Sequence, residues 1–369
     1  MHSQFLKKLD GLAGPLLIRL LNKPDAHQAC SSPRSALFIR PGGIGDAVLL
    51  VPTLRALQRA HPSCAVDVLA ESRNASVFAL APGIRRVYSY NSPSQIGAAL
   101  AERYDVVIDT EQWYRLSAVV ARLTGARVLI GFATNERKRL FTHTVPYLQQ
   151  QYEAYSFLSL LEPLGEAQPT SIEVPYLTLP TTAVAAAQRL VVPMAGRPYL
   201  TIFPGASVPE KQWGTRNFRE LAVSLAARGI GVVVVGGADM RAAGEEIARG
   251  GGAVNLAGRG SLVETAAIMG QGRLLVSGDS GLLHIAAGLG TPTVSLFGPS
   301  DPRKWSPRGE QHRVFSSESP CAPCSRYGTI PHCAVGATCM ASTKPAQVLD
   351  AALHLWDGAS AKQRAMSSS

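Results

Sequence analysis

Residues 274–302, LLVSGDSGLLHIAAGLGTPTVSLFGPSDP, decide how the chain is read. The short run Leu274-Leu275-Val276-Ser277 predicts a buried strand, and small and apolar residues over 282–289 predict a helix that stops at Gly290. A second strand is predicted over 293–297. This is a strand-helix-strand unit, and its first turn is Gly278-Asp279-Ser280-Gly281. At the start of a helix, unpaired backbone N–H groups and the positive end of the dipole face outward, so Asp279, Ser280 and Gly281 are placed to hold a phosphorylated ligand. In open parallel sheets ligands bind outside the carboxyl ends of the strands, which is where this turn falls. A plainer reading makes Asp279 or Ser280 a helix cap and His284 a packed side chain one turn in.

A second unit of this kind lies over 35–62, SALFIRPGGIGDAVLLVPTLRALQRAHP. It predicts a strand over 36–40, a loop carrying Gly42, Gly43 and Gly45, and a helix from near Asp46 to just before His61-Pro62. The opening is Rossmann-like, but it has neither the GxGxxG spacing nor a P-loop lysine. Gly43 and Gly45 let backbone approach a ligand closely, and the helix dipole favours an ionised Asp46. A carboxylate there can accept a proton, or it can simply be a helix-start aspartate.

Outward from these two stretches, strands alternate with helices, predicting parallel, doubly wound sheets in two halves. In the first half the loops leaving the strands carry Glu71-Ser72-Arg73, residues 109–115 and Asn135-Glu136-Arg137-Lys138-Arg139. They form a basic set suited to a multiply anionic ligand, with Arg73 and Arg115 as candidate contacts. The alternation lapses over 169–193, where prolines recur, so the domain boundary is expected near residue 185. The expected layout is an N-terminal extension and linker over 1–34, one Rossmann-like domain over 35–185, a second over 186–357, and a disordered tail over 358–369. The second half restarts with a strand over 199–203 and a loop through Gly205-Ala206-Ser207 to Lys211, whose ammonium either meets a diphosphate or is solvated.

Three other features bear on function. The net charge is +10, from 36 Lys and Arg against 26 Asp and Glu, which favours an anionic partner: nucleic acid, an acidic membrane surface or a phosphorylated substrate. Aromatics are only 7% and scattered, against a basic RNA-binding module, so no nucleic-acid partner is expected. Residues 5–23 put Leu6, Leu9, Leu12, Leu16 and Leu20 near one helical face beside Lys7, Lys8, Arg19 and Lys23, a pattern that suits a membrane surface or the protein's own core. The apolar runs are strand-sized and no secretory signal is evident, so the chain is expected in the cytoplasm. Finally, Cys321, Cys324, Cys333 and Cys339 follow a C-x2-C-x8-C-x5-C spacing compatible with a structural zinc site or with reduced thiols.

With the glycine-rich loop, Lys211 and the DSGLLH turn in view, the chain resembles glycosyltransferase family 9, the ADP-heptose:lipopolysaccharide heptosyltransferases. The matching stretches are RPGGIGDAVLLVPTLRAL, GASVPEKQWGTRNF and SGDSGLLHIAAGLGTPTVSLFGPSDP. The N-terminal extension and the cysteine segment stand outside this pattern. The resemblance implies a GT-B fold, two Rossmann-like doubly wound domains facing across a cleft. It also implies inverting transfer of a heptose from a nucleotide-sugar donor such as ADP-heptose to an anionic glycolipid acceptor of the lipopolysaccharide core. No cofactor is implied for the chemistry. By motif, Asp46 corresponds to the catalytic base, Lys211 to a donor-phosphate contact, and Asp279, Ser280, Gly281 and His284 to the donor turn, with Ser207 beside it. Acceptor contacts are expected at Gly43, Gly45, Arg73 and Arg115, and the enzyme is expected peripherally on the inner face of the inner membrane. The alternatives are another GT-B nucleotide-sugar enzyme, such as a different hexose transferase or an epimerase, and a non-catalytic basic binding protein.

Overall fold

The computed structural model describes residues 2–25 and 32–367, with side chains described for 10–25 and 32–358. It divides into two units, Met1–Glu173 and Val174–Ser369. The first holds α1 (His2–Leu20), β1 (Ser35–Arg40), α2 (Ile44–Ala60), β2 (Ala65–Ala70), β3 (Ile84–Ser89), α3 (Pro93–Ala101), β4 (Val106–Asp109), α4 (Leu116–Leu123), β5 (Val128–Phe132), β6 (His143–Val145) and α5 (Glu153–Ser159). The second runs through α6 (Thr181–Leu190), β7 (Tyr199–Phe203), α7 (Thr215–Ala226), β8 (Gly231–Val234), α8 (Arg241–Ala248), β9 (Val254–Asn255), α9 (Leu262–Gln271), β10 (Leu275–Gly278), α10 (Gly281–Gly288) and β11 (Thr293–Phe297). It closes with α11 (Pro302–Trp305), β12 (His312–Ser316), α12 (Thr338–Ala341) and α13 (Pro345–Ser367).

Each unit contains a six-stranded parallel sheet, ordered β3-β2-β1-β4-β5-β6 in the first and β12-β11-β10-β7-β8-β9 in the second. Counted from its own first strand, each sheet has the order 3-2-1-4-5-6, the doubly wound arrangement whose chain direction reverses between strands 1 and 4. The central strands are buried on both faces, which is why they read as continuous apolar runs rather than alternating ones. Leu37, Ile39, Val107 and Leu129 lie in the first core, and Leu200, Ile202, Val276 and Val294 in the second.

Local signals place the helices. Ser261 and Glu264 form a capping box that starts α9, and Ser280 Oγ accepts the N–H of Leu283 to cap α10. α1 docks on α4: the buried Asp10 carboxylate accepts the N–H groups of Arg115 and Leu116, Ile18 enters the core, and Gly14 admits the Arg115 stem, which a Cβ would meet at 2.8 Å. Leu6, Lys7, Lys8 and Leu9 of the expected amphipathic face lie outside the described side chains.

Three expectations on layout change. The boundary lies at Glu173/Val174 rather than near 185, because the backbone N–H groups of Tyr176 and Leu177 bond to Gly288 O and α6 packs on α9 in the second unit. The stretch from 358, expected as a disordered tail, continues α13 as helix to Ser367. β12 was not expected: its burial is broken to solvent along its length, so HRVFS carries no continuous apolar run.

Candidate active site

Both clusters of predicted residues fall where the chain direction reverses. In the first unit β1 ends at Arg40 and leads into Pro41-Gly42-Gly43, with Gly43 as the N-cap of α2. Gly42 has φ +114°, a left-handed conformation that favours glycine, and a Cβ there would stand 3.0 Å from Arg40 Nη2. Gly43 makes room for Asp46, since a Cβ on it would lie 3.1 Å from Asp46 Oδ2. Asp46 sits half-buried in the first turn of α2, and no hydrogen bond from the described residues holds its carboxylate.

Beneath this loop is a buried charge network. Arg40 pairs with Glu111 Oε2 at 3.1 Å and donates to Pro41 O and Thr110 O at 2.5 and 2.9 Å. Glu111 Oε1 accepts the backbone N–H groups of Gln112, Trp113 and Tyr114. Gln112 and the Tyr147 hydroxyl donate to the buried Glu153. Burial opposes the charge on Arg40, but Asp46, Glu111, Glu153 and Asp109 outweigh it and raise its pKa. Arg40 is thus held as a cation near Asp46.

In the second unit the corresponding position lies between β7 and β10. Asp279 follows β10 directly, and its N–H continues the ladder to Leu296 O. Lys211 Nζ donates to Asp279 Oδ2 at 2.5 Å, and His284 Nε2 stands 3.7 Å from Oδ1. Gly278 permits this approach, because a Cβ on it would lie 3.2 Å from Lys211 O. Burial pushes the Asp279 carboxyl up, but Lys211 and His284 outweigh it and hold it well below the usual carboxylate range. Ser280 Oγ lies 2.9 Å from Ser277 Oγ, so the cap is itself braced from the strand. Ser207 is exposed on the loop that leaves β7. The pair leaves Asp279 ionised beside an ammonium at a helix N-terminus, an arrangement suited to a diphosphate oxygen.

Sequence reasoning brought Lys211, Asp279, Ser280, Gly281 and His284 together correctly, but it did not foresee that Lys211 is tied to Asp279. It did not foresee how the basic loops of the first unit are paired. Arg115 is committed to Glu136 at 2.6 Å and to Asp10, so it braces α1. Arg137 is fully buried and paired with Asp109, while Arg73 is exposed and bonded to Glu71 at 2.7 Å. It also missed Arg40, Glu111 and Glu153, whose only sequence signal was charge inside otherwise apolar or strand-end segments.

Burial and the neighbouring Cys321, Cys333 and Cys324 push the Cys339 thiol up, so the four cysteines of the zinc-or-thiol reading lie in one neighbourhood. Among the described residues no group of three or more His, Cys, Asp or Glu side chains is arranged to hold a metal ion. Cys339 is packed in the second core, Cys321 is exposed, and Cys324 and Cys333 are half-buried.

Two doubly wound units, each with a glycine-bearing or helix-capping loop where the chain direction reverses, define a GT-B protein. The heptosyltransferase II of Escherichia coli has this fold, with a TM-score of 0.73 at 22% identity over 87% of this chain and 98% of that one. Glycosyltransferase family 9 (heptosyltransferase) matches residues 94–334. The chain is 30% identical to lipopolysaccharide heptosyltransferase 3 of Escherichia coli, covering 71% of this chain and 83% of that protein. It is 26% identical to lipooligosaccharide heptosyltransferase 2 of Haemophilus influenzae, covering 76% and 87%. The chain belongs to glycosyltransferase family 9 and is a glycosyltransferase.

Proposed function

We propose that this enzyme transfers a heptose from ADP-heptose to the lipopolysaccharide inner core with inversion at the anomeric carbon. The observation that carries the reading is the pairing of Lys211, Asp279 and His284 at the N-terminus of α10, together with an Asp46 in the first turn of α2 whose carboxylate takes no hydrogen bond from the described residues. In this reading the second unit holds the donor. Lys211 and the α10 terminus offset the negative charge that grows on the leaving diphosphate. Asp46 takes the proton from the acceptor hydroxyl as its oxygen attacks the anomeric carbon, and the bond from that carbon to the diphosphate breaks to release ADP. No metal is assigned a role in this scheme. Relatives named for lipopolysaccharide and ADP-heptose support the substrates.

The acceptor's location also favours a membrane-facing role for α1. Its buried side contains Asp10 and Ile18, while Leu12, Leu16 and Leu20, spaced four residues apart, are 83%, 59% and 69% exposed. Arg139 donates to Arg19 O and Arg122 to Asn22 O, so cations gather at the end of that apolar stripe. Such a face fits an anionic bilayer. No helix of the described residues is long and apolar enough to cross one.

The test is a transfer assay with ADP-heptose and a lipopolysaccharide inner-core acceptor, run beside UDP-hexoses and without acceptor. Product that requires both substrates, with the anomeric configuration inverted, is expected. Transfer from UDP-hexoses alone, or epimer formed without acceptor, contradicts the reading. For α1, a Leu12→Ser/Leu16→Ser/Leu20→Ser variant is expected to lose binding to phosphatidylglycerol vesicles while keeping turnover on soluble acceptor; unchanged vesicle binding contradicts the membrane role.

A further inference from the structure

We infer that Asn74 is a positioning residue for Asp46, acting through the glycine-rich loop. This rests on the reading of Asp46 as the base. Asn74 lies beyond the end of β2, is fully buried, and aims its amide nitrogen at the loop: Nδ2 donates to Arg40 O at 3.2 Å and Gly42 O at 3.1 Å and approaches Gly43 O at 3.5 Å. From the same turn Glu71 Oε1 accepts the Gly42 N–H at 3.1 Å. Two side chains about thirty residues away thus hold consecutive backbone groups of a loop whose glycines could otherwise move, since glycine tolerates many conformations. Asn74 is itself fixed, because its N–H bonds to Glu71 O and its carbonyl accepts from Val77.

The consequence for Asp46 is geometric. Gly43 caps α2, its carbonyl accepts the Ala47 N–H, and Asp46 Oδ2 stands over the space where a Gly43 Cβ would be. Shifting the Gly42-Gly43 carbonyls moves the first turn of α2 and the carboxylate with it. A displacement of about 1 Å at a catalytic group costs on the order of a hundredfold in rate. Asn74 touches neither substrate in this account, so its effect must pass through Asp46.

The experiment measures kcat, KM for ADP-heptose and acceptor, ADP affinity by calorimetry and thermal unfolding for Asn74→Ala, Asn74→Ser, Asp46→Asn and Asn74→Ala/Asp46→Asn. Asn74→Ala is expected to lower kcat roughly 100-fold with ADP affinity within twofold, and Asn74→Ser, which keeps one donor, to recover part of the loss. The double variant is expected to be no slower than Asp46→Asn, because both substitutions disable one unit. If Asp46→Asn is inactive and Asn74→Ala turns over within threefold of wild type, the inference is overturned. It is also overturned if the double variant multiplies the two losses, or if the loss disappears on correcting for the folded fraction, the second test applying to Asn74→Ser where Asn74→Ala does not fold. An Asp46→Asn enzyme that retains full turnover would instead overturn the base assignment itself.

Discussion

The two points where the sheets reverse direction differ in how completely their charge pairs are bonded from within. Both join a cation to a carboxylate from the loop after strand 4: Arg40, the last residue of strand 1, to Glu111 in the first unit, and Lys211, from the loop after strand 1, to Asp279 in the second. In the first unit the pair is sealed. Glu111 carries three backbone N–H groups besides the guanidinium, and Arg40 carries two carbonyls. In the second unit the Lys211 side chain is 16% exposed and bonds to Asp279 alone among the described residues, leaving ammonium protons for an anion. A charge pair whose bonding capacity is filled from within holds the chain; one with capacity left over can take a ligand.

The largest expected effect tests the catalytic side of this contrast. Asp46→Asn should lower kcat on the order of 100- to 10,000-fold, the usual range for losing a general base, with ADP affinity unchanged. Next in size is the sealed pair: Arg40→Met leaves Glu111 buried without a counter-charge, and removing one partner of such a pair costs about 3–5 kcal/mol, read as a lower midpoint in denaturant. Lys211→Met should lower the midpoint less, because its pair with Asp279 is partly open to solvent, while weakening ADP binding about tenfold. If both variants lose stability equally, the distinction between the two points is wrong.

Acid titration sharpens it further. Because Asp279 is held below its ordinary pKa, its contribution to stability is present above about pH 4, the unfolded carboxylate value, and is lost as pH falls toward the lower folded value. The stability gap between wild type and Asp279→Asn should therefore be flat from pH 8 to 5 and narrow in more acidic solution. The same reasoning applies to His312, buried against Thr293 Oγ1 at 2.8 Å, whose pKa burial lowers to about 4. The unfolded chain takes up that proton near pH 6.5, so stability falls as pH drops from about 6.5 to 4, and His312→Asn should flatten that part of the curve.

Much of this was legible in the sequence because the relevant signals are local. Continuous apolar strands, the glycine loop before Asp46 and the Asp279-Ser280-Gly281 helix start each lie within a few residues, and the structure places them as read. What escaped were pairings that only folding creates. Arg115 and Arg137 read as solvent-facing basic residues because nothing nearby in sequence names Asp10 or Asp109 as their partners. Asn74 drew no reading from the sequence, and its reach to Gly42 exists only because β2 pairs with β1. The boundary was displaced because a proline-bearing segment that lacks strand-helix repeats still packs on α9 and α10.

Calorimetric titration of ADP into wild type, Lys211→Met and Asp46→Asn tests the central claim most directly. ADP should bind wild type and Asp46→Asn alike and bind Lys211→Met about tenfold more weakly, a difference of about 1.4 kcal/mol. Unchanged affinity in Lys211→Met, or affinity lost in Asp46→Asn, would contradict the assignment of the diphosphate to the second unit.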